Sequence, residues 1–180
     1  MKKLVLSLMI VSSLFAAESK YSAFGYTVNE VLNPQNLQIV KKNCESTCYK
    51  IKHKPVGDLI KFQVCTATHG KKIIREIIAE SKLLQYSECM TKYKKLETAI
   101  KNKYGTAANK WGAVKTQNIK LAGDCAKVLA KDSSIFDQNI IGYKVKYKLR
   151  DYRAINYAKN TCTQWEKDEA TKGALEYNGL

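Results

Sequence analysis

Residues 48–65 read CYKIKHKPVGDLIKFQVC, and this stretch decides the fold. Tyr49, Ile51 and His53 alternate with Lys50, Lys52 and Lys54, the period of two of a strand whose faces meet different surroundings. Pro55-Val56-Gly57-Asp58 supplies turn chemistry. Beyond it Ile60, Phe62 and Val64 alternate with Lys61 and Gln63. Closing a hairpin over the four turn residues sets Lys54 against Leu59, Ile51 against Phe62, Tyr49 against Val64, and Cys48 against Cys65. The register that pairs apolar with apolar thus pairs sulfur with sulfur. Opposed residues lie ~4.5–5.5 Å apart at Cβ, near the ~3.5–4.5 Å of a disulfide, so a Cys48–Cys65 bridge is expected.

The other cysteines are Cys44, Cys89, Cys125 and Cys162, an even total of six with no CxxC pair and no CxxCH. Metal binding is the rival reading and would want CxxC pairs or Cys/His clusters, and the closest spacing is Cys44-x3-Cys48. In an exported chain such a set reads as a disulfide framework. Cys125–Cys162 and Cys44–Cys89 are the expected remaining pairs.

Export is read from the start of the chain. Lys2 and Lys3 precede an apolar run from Leu4 to Phe15, followed by Ala16, Ala17 and then Glu18. This is the layout of a signal peptide over residues 1–17, too short for a membrane span of ~20 residues. The rival reading is a buried N-terminal helix. No N-x-Ser/Thr sequon is present. A bacterial periplasmic or secreted location is expected. Removing residues 1–17 takes away two Lys and no acid, lowering the formal charge from +15 to +13.

The 180 residues, 45% apolar and 26% charged, exclude disorder, collagen and a multi-span membrane protein. They fit one domain over 18–172, or two similar halves, 18–105 and 106–172, with a flexible tail at 173–180. Residues 26–31 read as a first strand or an entry turn. Asn33-Pro34 predicts a short helix running through Leu37, Val40 and Lys41 towards Cys44. Residues 73–78, rich in β-branched side chains, fit a third strand, with a helix as the alternative. Cys89, Tyr93, Leu96, Ile100 and Tyr104 mark a helix over 87–104, stopped by Gly105. Residues 106–119 read as a loop around Trp111, and 120–131 fit strand or helix. Residues 140–150 form the cleanest strand, with Tyr143, Val145, Tyr147 and Leu149 on one face. Asp151 caps a last helix whose stripe is Ile155, Ala158, Cys162 and Trp165. The order of elements gives an α+β fold: an antiparallel sheet with helices packed on one face, stapled by disulfides.

The chain resembles the small exported α+β proteins of the β-lactamase inhibitory protein and outer-membrane assembly lipoprotein kind. Phe24-Gly25 near the mature start, Cys44 before a hairpin, and the helix ending KNKYG carry the resemblance over 23–105. The lipoprotein cysteine of the assembly family is missing. The resemblance implies a binding module rather than an enzyme.

No catalytic signature of the nucleophile-elbow, zinc-protease, P-loop or dinucleotide type is present. His53 and His69 are the only histidines, and packing or turn roles suffice for them. Paired carboxylates for hydrolysis have Glu76, Glu80 and Glu88 as candidates. No catalytic residue, cofactor or metal is assigned. The distinctive feature is cationic: Lys50, Lys52, Lys54, Lys61, Lys144, Lys146, Lys148 and Arg150 fall on the polar side of their strands. If the segments share a sheet, they form a basic plate suited to an acidic protein or an anionic envelope component. The plain alternative is a solvated face that discourages edge pairing. Nucleic acid is not expected, because Tyr49, Tyr93, Tyr143 and Tyr147 lie on core-facing stripes and stacking needs exposed rings. The expected function is non-catalytic binding. The alternatives are a small periplasmic hydrolase using carboxylates, and an inhibitor of a secreted enzyme presenting the 106–119 loop.

Overall fold

A computed structural model describes residues 21–105, 108–109, 113–130 and 139–178, the last six as backbone alone. The expected signal peptide and Trp111 lie outside the described residues. The chain is α+β. A short hairpin, β1 (Ser22–Ala23) and β2 (Tyr26–Thr27), precedes a seven-stranded antiparallel sheet. Its strands are β3 (Gln38–Lys42), β4 (Thr47–Ile51), β5 (Leu59–Thr66), β6 (Ile74–Ser81), β7 (Val114–Lys115), β8 (Ile119–Leu129) and β9 (Ile140–Asp151). They lie in the order β3-β4-β5-β6-β9-β8-β7. Helix α1 (Tyr86–Tyr104) links β6 to β7, and α2 (Tyr152–Asn178) follows β9.

One row of side chains shows why the sheet holds. Tyr49, Val64, Ile77, Leu149, Leu121 and Val114 are successive register partners across six strands. All six are buried. Period-two alternation put them on one face, and that face is the core. The tyrosines follow suit: Tyr49 and Tyr147 are buried, while Tyr93 and Tyr143 pack against the core. Helix α1 crosses β8 at Gly123, where an added Cβ would lie 2.8 Å from Leu96 Cδ2. The N-terminal hairpin adds Phe24, whose ring lies 4.8 Å from Phe62 and 5.5 Å from Tyr147.

Cys48 and Cys65 are register partners and are bonded, with Cα atoms 4.0 Å apart. The expected Cys125–Cys162 and Cys44–Cys89 pairs are corrected. Cys89 of α1 joins Cys125 of β8, and Cys44 joins Cys162 of α2. The reason is topological. β9 inserts beside β6 and carries β8 under α1, while α2 returns past the β5–β6 turn towards Cys44. No cysteine is free.

Residues 38–42 form the exposed edge strand β3 and not the expected helix; every one of the five is exposed. Of the ambiguous 120–131 region, residues 120–129 belong to strand β8. The backbone of α2 stays helical to Asn178, past the point where a frayed tail was expected. Asp151 is fully buried and caps α2, accepting from Arg153 N at 2.8 Å and Ala154 N at 3.3 Å. No helix among the described residues is long and apolar enough to cross a membrane.

Candidate anion-binding groove

The face opposite the buried row carries the predicted basic residues, and the structure divides them into two groups. β6 sits between β5 and β9 and brings carboxylates to the β9 cations. Glu80 Oε1 lies 3.2 Å from Lys146 Nζ, and Glu80 Oε2 lies 3.4 Å from Lys144 Nζ. Glu76 pairs with Arg150 at 2.5 Å. Burial raises the Glu80 pKa, but Lys146 and then Lys144 more than offset it, leaving the carboxyl below its ordinary range. Lys148 has Ile78 and Ala122 as register partners. The β9 cations therefore do not form a uniform plate with the β4–β5 lysines, because Glu76 and Glu80 ion-pair with three of them.

The other four converge on one groove. Lys50, Lys52, Lys54 and Lys61 line a depression of about 800 Å³ near the turn end of the β4–β5 hairpin. Its origin is a mismatch in strand length. Ile51 pairs with Phe62, but the turn closes where Val56 pairs with Leu59. Val56 and Leu59 exchange two backbone hydrogen bonds of 3.0 Å, leaving Gly57-Asp58 as the turn, with Gly57 at φ 56°. Residues 52–55 thus stand opposite only 60–61. The longer side bows outward, and Pro55 has no N–H to hold it to the ladder. The expected Lys54–Leu59 pairing is corrected accordingly. So is the placement of Ile60: a bulge between Leu59 and Lys61 takes it off the apolar face, and it is 45% exposed in the groove.

No carboxylate lines the groove among the described residues. Asp58, on the turn, is bound by Lys92 of α1. Glu80, the register partner of Lys61, is occupied by Lys144 and Lys146. Four exposed ammonium groups therefore share one concave surface over an apolar floor that includes Val40 and Ile60. Such a concavity attracts anions, since like charges gathered without counter-charge raise the local potential. The lysines are legible from period two, whereas Val40, expected in a helix, and Ile60, expected on the apolar face, are not. The one available signal was Pro55, which breaks the ladder just after a clean alternation.

The remaining candidates have structural roles. His53 Nδ1–H donates to the carbonyl of Lys54 at 2.6 Å, and its ring packs 5.0 Å from Phe62. His69 stacks on Trp165 at 4.5 Å. Glu76 and Glu80 are ion-paired, and Glu88 lies 3.5 Å from Lys92. A second groove of about 380 Å³ holds Glu30 and Asp151. Both Asp151 oxygens accept hydrogen bonds from α2, so this carboxylate is committed to capping. Cys44, Cys162 and Glu166 lie close together, but both sulfurs are spent in a disulfide and offer no thiolate. No protein-family model, curated protein or solved structure matches the chain.

Proposed function

We propose that this is an extracytoplasmic, non-catalytic binding protein that holds an anionic partner in the groove of Lys50, Lys52, Lys54 and Lys61. The observation that carries the reading is the contrast between the two lysine groups. Three of the four β9 cations are ion-paired with Glu76 and Glu80, whereas the groove lysines have no acidic neighbour lining their surface. Export is supported by the leader-like residues 1–17 and by three disulfides, which persist in oxidising compartments.

The test is titration with poly-glutamate at low and high salt. The wild type binds at low salt and weakens as salt rises, because the interaction is between exposed charges. K50Q/K52Q/K61Q loses at least tenfold in affinity. Unchanged affinity in that variant overturns the reading.

A further inference from the structure

We infer that the groove and the hairpin tip together form a docking surface for an anionic lipid bilayer. This rests on the anion-binding reading above and names the partner. Lysines alone would suffice for a soluble polyanion, but this surface also displays aliphatic side chains. Val56 is 46% exposed at the turn, Ile60 is 45% exposed, and Val40 is 43% exposed on the neighbouring edge strand. Val40 and Ile60 line the groove with the lysines, and Val56 lies two residues beyond Lys54.

Aliphatic tips interleaved with lysines suit the boundary between headgroups and acyl chains. The apolar atoms leave water there, and the ammonium groups reach lipid phosphates on flexible stems. Each lysine near an anionic leaflet contributes about fivefold in affinity, so four give measurable but salt-sensitive attachment. The one carboxylate of the turn is also offset. Asp58, in the turn, is ion-paired with Lys92 of α1 at 2.5 Å. The turn itself is closed by the two Val56–Leu59 hydrogen bonds, which hold Val56 in place at the tip.

The experiment is co-sedimentation of the full chain with two kinds of vesicle at low salt. One contains phosphatidylcholine alone, the other phosphatidylcholine with phosphatidylglycerol. Binding is expected only to the second. V56S changes one exposed turn residue outside the groove lining, so fold and groove are preserved. It should bind those vesicles at least threefold more weakly while binding poly-glutamate like the wild type. K52Q/K54Q should weaken both. Poly-glutamate binding without vesicle binding overturns the lipid assignment alone, as does unchanged vesicle binding by V56S. Loss of poly-glutamate binding by the wild type overturns the anion-binding reading beneath it.

Discussion

Glu80 Oε1 lies 3.2 Å from Lys146 Nζ, across the β6–β9 boundary at the middle of the sheet. The same carboxylate also holds Lys144, so one acid on β6 quiets two cations on β9. Together with Glu76–Arg150, it pairs three of the eight basic residues with acid and leaves the four groove lysines without acid lining their surface, while Lys148 belongs to neither set.

E80Q should destabilise the fold by about 1 kcal/mol, the scale of partly exposed ion pairs. The Glu80 carboxyl is held below its ordinary range, so the unfolded chain binds its proton first as pH falls. Its stabilising contribution is therefore complete above about pH 4.3 and lost as pH drops through the lower folded value. Urea melts of wild type and E80Q across this window should converge at low pH. A constant gap between them at every pH contradicts the assignment.

The three disulfides close loops of different length, with separations of 17 for Cys48–Cys65, 36 for Cys89–Cys125 and 118 for Cys44–Cys162. If each acts mainly on the unfolded chain, replacing the pairs by alanine costs about 3, about 4 and about 5 kcal/mol in that order. Denaturation midpoints of the three double variants check the ranking. A reversed order shows that native packing dominates.

Helix α2 is anchored at both ends of its buried stretch. D151A removes the cap and leaves Arg153 without its carboxylate, at about 2 kcal/mol. G70A places a Cβ 2.5 Å from Tyr157 Oη at a residue with φ 68°, at about 1–2 kcal/mol. That contact also displaces the hydroxyl that accepts from Lys71 N at 2.8 Å. Both variants should raise amide exchange in residues 152–162 more than in β8. Equal exchange in the two regions contradicts this account of the anchor.

Much of the architecture was legible wherever one face of an element is buried and the other wet. The alternation of residues 48–65 and 140–150 gave the right strands, the right apolar partners and one disulfide. The helix beginning near Ser87 was legible from its stripe, because Cys89 and Ile100 are buried. Residues 38–42 were misread because all five are exposed and show no alternation, while Asn33-Pro34 imitates a helix start. The two long-range disulfides were unreadable because they depend on β9 sitting beside β6, a pairing of distant segments. That insertion also decides the charge pattern, since it sets Glu76 and Glu80 against Arg150, Lys146 and Lys144. The groove was half legible: its lysines follow from period two, but its opening follows from a two-residue excess in residues 52–55.

The most direct measurement is amide NMR mapping of the wild-type chain titrated with poly-glutamate. Perturbations are expected to centre on residues 50–54 and 60–63, with β8 and the middle of β9 unmoved. Perturbations centred on Lys144, Lys146 and Lys148, or none at saturating polyanion, would contradict the groove as the binding surface.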